Sequence, residues 1–250
     1  MSFLEQFHKM IKHLEEQGMF INHFRIIPPD ENEVINTQIE LGYELDASIV
    51  DFYCECNGIE LVYTHLQNPD FKRLSTKQGW NNDFTLDELY DGVIWIHGIQ
   101  ETFLTEWDFD FAEYERTVFI DERQYTFNEF AKNLKPFDFI NKYGILKYDI
   151  DVAFFLDGSQ NPCLVLGNDY QSNYEDSFRI YFDAYLDLLI KSKGIVDARF
   201  RVLNYPNGIN YGQITKDIIF NLPEISVSEY NTNTMTDWRN EVIDKMKNFK

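Results

Sequence analysis

The fold is decided by the stretch VAFFLDGSQNPCLVL, residues 152–166. Two apolar runs, Val152 to Leu156 and Cys163 to Leu166, flank a polar loop that contains Gly, Asn and Pro. Short apolar runs separated by turn-forming residues predict a β-hairpin. Because both runs are apolar throughout, we expect a buried pair of strands near the middle of a sheet.

The residues before this hairpin predict three helices. Apolar residues recur at three- and four-residue steps from Phe3 to Leu14, and Gly18 follows as a stop. A second helix, capped by Asp30 or Asn32, carries Val34, Ile35, Ile39 and Leu41 and ends at Gly42. A third helix, capped by Asp46, spans Ala47 to Asn57 and ends at Gly58.

The remaining elements are mostly short and rich in β-forming residues. Predicted antiparallel strands cover Ile59 to Tyr63, Val93 to His97, Thr117 to Ile120 and Gln124 to Phe127. After the hairpin, the pattern predicts a long helix from Ser177 to Gly194, a strand from Ala198 to Tyr205 and a last helix from about Asp237.

Together these elements predict an α+β fold. We expect a single domain in which an antiparallel or mixed sheet is packed by N-terminal helices and one long later helix, with an extra C-terminal helix. Its predicted parts are an N-terminal helical extension (1–27), the α+β domain (28–204) and a C-terminal extension ending in a helix (205–250).

The composition excludes several classes of function. The 250 residues include 42 acidic and 22 basic side chains, which gives a formal net charge of −20 at pH 7. This charge repels nucleic-acid phosphates and anionic lipids, and it attracts basic proteins. We therefore expect a basic protein partner, and neither nucleic acid nor a membrane.

Further features indicate a cytoplasmic protein. Met1 to Gly18 lacks the basic and apolar regions of a signal peptide, and no apolar run approaches the ~20 residues of a membrane span. Cys54, Cys56 and Cys163 are an odd number in a chain large enough to fold without disulfides, which favours a reducing compartment.

Motifs with a known catalytic mechanism are absent from the sequence. Cys54 and Cys56 lie two apart on a predicted helix, so they face different directions, and no histidine pair has the i, i+4 spacing of a zinc-binding helix. Neither a phosphate-binding glycine motif nor Gly-x-Ser-x-Gly occurs. The sequence predicts no enzyme, no catalytic residue, no metal and no cofactor.

Acidic and aromatic residues alternate in one unusual segment, Trp107 to Glu115. Residues 83–122, which contain it, hold 12 acids and one base and so carry −11 of the net charge. Carboxylates steer a basic partner and aromatic side chains anchor it. The predicted partner-binding residues are Trp107, Asp108, Asp110, Glu113 and Glu115. Two alternatives stay open, namely surface acids that only maintain solubility and paired carboxylates of a carbohydrate-cleaving enzyme.

Several short motifs also occur in a particular order. They are Leu41 to Leu45, Phe52-Tyr53, Asn57-Gly58-Ile59, the hairpin 152–167, Ser177-Phe178 through Tyr185-Leu186, and Lys193 to Arg199. In this order they resemble the SUKH superfamily, which includes bacterial toxin-immunity proteins and fungal cell-wall-assembly regulators. The resemblance covers about Asp30 to Arg199, and Asp46 replaces the usual proline.

The resemblance implies an α+β fold that binds proteins without catalysis. Its bacterial members neutralise toxins, often nucleases or deaminases, and nuclease toxins tend to be basic. We therefore expect an immunity protein that binds and occludes a basic protein toxin. The alternative is a non-catalytic regulatory adaptor for cell-envelope or signalling proteins.

Overall fold

The computed structural model describes residues 2–69, 71–74, 91–105, 117–120, 123–138, 150–167, 179–195, 216–222, 224, 225, 227 and 240. N-terminal helices pack on a seven-stranded antiparallel sheet, so the predicted α+β class is confirmed. Within these residues, no helix has the length and apolar character needed to cross a bilayer.

Helices in the described residues range from one turn to four turns. They are α1 (Phe3–Glu16), α2 (Glu31–Leu41), α3 (Ala47–Glu55), α4 (Phe71–Leu74), α5 (Ile99–Leu104), α6 (Phe127–Asn133), α7 (Phe182–Ser192) and α8 (Lys216–Phe220).

Side-chain caps explain where the N-terminal helices begin. Ser2 and Glu5 form a reciprocal capping box at the start of α1. The carboxylates of Asp30 and Asp46 accept hydrogen bonds from backbone N–H groups in the first turns of α2 and α3. Gly42 ends α2 in the left-handed conformation. The predicted starts of α2 and α3 and the predicted end of α2 are confirmed.

The strands form one large sheet and one separate hairpin. They are β1 (Met19–Ile26), β2 (Ile59–His65), β3 (Gly92–Ile96), β4 (Thr117–Ile120), β5 (Arg123–Thr126), β6 (Leu134–Asp138), β7 (Ile150–Phe155), β8 (Leu164–Gly167) and β9 (Arg179–Ile180). The large sheet has the order β1-β2-β3-β6-β7-β8-β9, and β4 and β5 pair with each other as a separate hairpin. All neighbouring pairs are antiparallel.

The predicted central hairpin is present as β7 and β8. Val152 lies opposite Leu166, and Phe154 lies opposite Leu164. Phe154 and Leu164 are fully buried. Burial of such large apolar side chains removes about 1.5–3 kcal/mol of unfavourable hydration each, so this pair stabilises the centre of the sheet.

Aromatic side chains fill the space between the sheet and the helices. Phe52 of α3 and Phe182 of α7 meet with ring centroids 5.4 Å apart, and Phe137 of β6 lies 5.4 Å from Phe182. The apolar stripe of α1, formed by Phe7, Met10, Ile11 and Leu14, joins this core. The prediction that α1 packs on the domain is therefore confirmed.

A buried carboxylate ties α7 to the sheet. Asp138 of β6 is fully buried. It accepts hydrogen bonds from the hydroxyl of Tyr185 at 2.6 Å and from the backbone N–H of Trp95 at 2.8 Å. Because a buried carboxylate is costly without partners, these bonds fix the position of α7 over β3 and β6.

The long later helix begins further along the chain than predicted. Its first residue is Phe182 and its N-cap is Tyr181, so the prediction that Ser177 caps it was wrong. The cause is β9, in which Arg179 and Ile180 pair with β8 immediately before the helix. Lys193, in the left-handed conformation, follows the last turn.

Three strands of the sheet, β1, β6 and β9, were not predicted from the sequence. β1 pairs with β2 along its length, and β6 joins β3 to β7. The predicted strand Ala198 to Tyr205 lies outside the described residues. So does the predicted helix from about Asp237, except for Asn240, which is helical.

Candidate protein-binding surface

The partner-binding residues predicted from the sequence cannot be placed. Trp107, Asp108, Asp110, Glu113 and Glu115 all lie outside the described residues. The hypothesis that they contact a partner stays a prediction. The described residues contain a second acidic region, which the sequence analysis did not single out.

This second region is the α2–α3 surface, residues 30–55. It contains eight acids and neither lysine nor arginine. Four of the acids have structural roles, because Asp30 and Asp46 cap helices, Glu33 binds Asn57, and Glu55 accepts the backbone N–H of Leu4 at 3.1 Å. The signal that could have revealed this surface is its eight acids within a stretch, Ile26 to Phe71, that has no lysine or arginine.

The other four acids of the α2–α3 surface are Glu31, Glu40, Glu44 and Asp51. None of the side-chain hydrogen bonds or ion pairs of the described residues involves their carboxylates. Their charge is therefore not neutralised by neighbouring groups within the described part of the fold. Such carboxylates create a negative potential that acts on approaching molecules.

Cys54 shows that the potentials of α2 and α3 overlap. Its thiol is exposed on α3. Partial burial raises the pKa of this thiol, and the negative charges of Glu31 and Asp51 raise that pKa further. Because Glu31 belongs to α2 and Asp51 to α3, the two helices act on the same point of the surface.

The turn between α3 and β2 holds the α2–α3 surface in place. The Asn57 side chain donates to the carboxylate of Glu33 on α2 and accepts the backbone N–H of Ile99, at the start of α5, at 2.8 Å. Backbone hydrogen bonds join Asn57 and Gly58 to Ile27, at 2.9 Å and 3.0 Å. The Asn-Gly motif therefore connects α2, α5 and the end of β1.

Gly58 has a different role from the helix stop predicted for it. α3 ends at Glu55 and its C-cap is Cys56, so Gly58 lies in the connection to β2. Its φ is +131°, and a Cβ atom there would lie 2.7 Å from the carbonyl oxygen of Ile96. Only glycine allows β3 to approach this closely without displacement.

Histidine and carboxylate side chains meet on the β1–β3 part of the sheet. Glu60 accepts a hydrogen bond from His23 Nε2 at 2.7 Å, and Arg25 lies 3.7 Å from the same carboxylate. The His23 ring stacks on Trp95 with a centroid distance of 5.7 Å. These contacts compensate the burial of Glu60 and connect three strands.

A cleft between α1 and α7 has a volume of 330 Å³. It is lined by Gln6, Lys9, Met10, His13, Ile190, Lys193 and Glu224. The ammonium group of Lys193 binds the carbonyl of Ile225 and lies 3.7 Å from Glu224. Burial lowers the pKa of Lys193, and Glu224 partly opposes this shift. The cleft's buried lysine is thus engaged by the segment 216–227 of the chain itself.

The remaining cysteines are poor nucleophiles. Burial raises the pKa of both Cys56 and Cys163 to about 12, so their thiols stay protonated near neutral pH. Among the described residues, no group of His, Cys, Asp or Glu side chains is arranged to hold a metal ion.

Comparisons with known proteins give no relative for this chain, since no family model, no curated protein and no solved structure matches it. The resemblance to the SUKH superfamily stays a prediction.

Proposed function

We propose that this protein binds a basic protein partner and neutralises it by occlusion, as an immunity protein does for a toxin of the nuclease or deaminase type. The observation that carries the proposal is the uneven distribution of charge. Residues 30–55 hold eight acids without a lysine or arginine, and residues 83–122 hold 12 acids with one arginine.

A high density of acidic side chains lowers the stability of the folded state. Like charges repel one another in the folded state, and this repulsion is relieved when a partner of opposite charge binds. Long-range attraction also accelerates the encounter with such a partner, because it acts before the surfaces touch. A net charge of magnitude about 2–8 is enough to keep a small domain soluble, whereas this chain carries −20.

Two buried carboxylates of the sheet are engaged within the fold. Glu60 is shared between His23 and Arg25, and Asp138 is shared between Tyr185 and Trp95. In both places the carboxylate compensates its own burial through contacts within the fold. The proposal accordingly assigns no catalytic residue and no cofactor.

The proposal is tested by affinity purification of the full chain from cells that carry its gene. Proteins that are recovered with the chain are identified by mass spectrometry. We expect the recovered protein to be basic and to have an activity of its own. Titration of that activity with the purified chain should reach complete inhibition at one molar equivalent. An acidic partner, or inhibition that needs a large excess, would contradict the proposal.

The same titration distinguishes an immunity protein from the alternative, a regulatory adaptor. An adaptor leaves its bound partner active, whereas occlusion abolishes the activity in proportion to the complex formed. Full activity in a saturated complex would therefore favour the adaptor.

A further inference from the structure

The outer face of α2 exposes two isoleucines one turn apart. Ile35 is 53% exposed and Ile39 is 70% exposed. Their spacing of four residues places both side chains on the same side of the helix. Single exposed apolar residues are common on protein surfaces, but an adjacent pair forms a continuous apolar patch.

Packing of the opposite face fixes this orientation. Val34 is 3% exposed and Thr37 is fully buried, and neither isoleucine belongs to the hydrophobic core. Gln38 also accepts the backbone N–H of Leu45 at 2.9 Å, which fixes the end of the helix. Rotation of α2 to bury the isoleucines would expose Val34 and break these contacts, so the patch is a fixed property of the surface.

Isoleucine is an unfavourable choice at such positions. Its β-branched side chain loses rotational freedom in a helix, and its apolar surface here stays in water. Alanine, glutamate or lysine would each give a more stable exposed helix face. The stability of the isolated fold therefore does not account for Ile35 and Ile39.

Acidic residues flank the two isoleucines in the sequence. Glu31 lies one turn before Ile35, and Glu40 follows Ile39 directly in the sequence. Glu44 comes shortly after the end of α2, and these three acids have no ion pair within the described residues. Basic side chains on a partner segment that covers the isoleucines would complement these carboxylates at its rim.

We infer that the outer face of α2 is the docking site for a basic segment of the partner, with an apolar side chain against Ile35 and Ile39 and lysine or arginine beside Glu31, Glu40 and Glu44. This inference rests on the proposed function and locates part of its interface. The cap at Asp30 and the bond between Glu33 and Asn57 hold α2 in place before binding. Such preorganisation lowers the entropic cost of association.

A selection experiment with random peptides tests the site while the partner is still unidentified. The full 250-residue chain is immobilised and exposed to a phage-displayed library of random linear peptides. Enriched peptides are synthesised, and their affinities are measured for the wild-type chain and for the double variant Ile35→Ala/Ile39→Ala. A scrambled peptide of the same composition measures binding by charge alone.

Two control variants separate the site from general effects. Leu66→Ala removes an aliphatic side chain that is 52% exposed and lies outside α2. Glu15→Gln/Glu16→Gln removes two exposed charges from α1. Because Ile35 and Ile39 are exposed and alanine favours helix, the double alanine variant should unfold at the wild-type temperature or slightly above it.

The expected result is a set of peptides that combine lysine or arginine with at least one apolar residue. Their affinity should fall at least about tenfold for Ile35→Ala/Ile39→Ala, and it should be unchanged for both control variants. Scrambled peptides should bind more weakly than the selected ones.

Other results would overturn the inference in distinguishable ways. Basic peptides that bind the double alanine variant as well as the wild type would place the site elsewhere and leave the proposed function standing. A selection that enriches non-basic peptides, or that enriches no peptide at all, would contradict both the proposed function and the site. A wild-type dimer that becomes a monomer in the double alanine variant would show that a second copy of the chain covers the patch.

Discussion

Gly58 is the residue at which a single added methyl group would most directly disturb the α2–α3 surface. Its φ is +131°, and a Cβ atom there would lie 2.7 Å from the carbonyl oxygen of Ile96, so both the backbone and the space disfavour any other residue. We expect Gly58→Ala to lower the free energy of unfolding by about 2 kcal/mol or more, as measured by urea denaturation. Gly158→Ala is the matched control, because φ is +84° there but no atom would lie within 4 Å of the added Cβ. A cost no larger than the ~1 kcal/mol expected for that control would contradict the close approach.

Cys54 reports the local potential of the same surface. Because the thiolate is the reactive form, a raised pKa shifts the alkylation of Cys54 toward higher pH than for an ordinary cysteine. Glu31→Gln/Asp51→Asn removes two negative charges, so it should lower this pKa and accelerate alkylation by iodoacetamide at a given pH near neutrality. Rates are followed by mass spectrometry from pH 7 upward, with Glu16→Gln as control. Identical pH profiles for wild type and double variant would show that the two carboxylates do not act on Cys54.

Among the elements, α7 is connected to the segment 216–227 by lysine side chains. Lys191 Nζ donates to the carbonyls of Phe220 at 2.9 Å and Leu222 at 2.6 Å. Lys191→Met keeps the aliphatic part of the side chain but removes these donors. We expect it to lower the free energy of unfolding by about 1–3 kcal/mol and to increase proteolysis near residue 220. Lys12→Met on α1 breaks only an exposed pair with Glu16 and should cost below about 0.5 kcal/mol. Equal proteolysis of the two variants would contradict a role for Lys191 in holding this segment.

Elements with regular patterns and side-chain caps could be predicted from the sequence, whereas strands with irregular patterns could not. α1, α2 and α3 have apolar periodicity and caps, and β7 and β8 are apolar through most of their length. β1 carries Asn22, His23 and Arg25 in its middle, which hides the strand pattern. β6 contains Pro136, a residue that normally interrupts a sheet, beside an irregular register with β7.

The candidate site was only partly visible for a related reason. The sequence predicts that α2 carries Val34, Ile35, Ile39 and Leu41, but four apolar residues on one short helix do not reveal which of them face outward. That distinction depends on the packing of α2 against α3 and α5. The acidic residues 30–55 were present in the sequence, but this stretch is shorter and has fewer aromatic residues than residues 83–122.

For the whole molecule, the distribution of charge predicts which changes weaken partner capture. Reversal of Asp108, Asp110, Glu113 and Glu115 to lysine changes the net charge by +8 and removes the carboxylates beside Trp107, Phe109, Phe111 and Tyr114. We expect this variant to keep a normal unfolding transition and to lose most of its capture of the basic partner in a pull-down. Glu15→Lys/Glu16→Lys on α1 is the control for general charge and should capture the partner nearly as well as the wild type. If the fourfold variant captures the partner as well as the wild type does, these acids do not contact the partner and serve only solubility.

The central claim is that an acidic surface draws in a basic protein, and the association rate tests it most directly. The rate constant for the full chain and its recovered partner is measured by stopped-flow fluorescence from about 20 mM to about 500 mM salt, a range over which the Debye length shortens several-fold. We predict that the association rate falls at least about tenfold across this range while the dissociation rate changes much less. An association rate that is the same at low and high salt would contradict electrostatic capture.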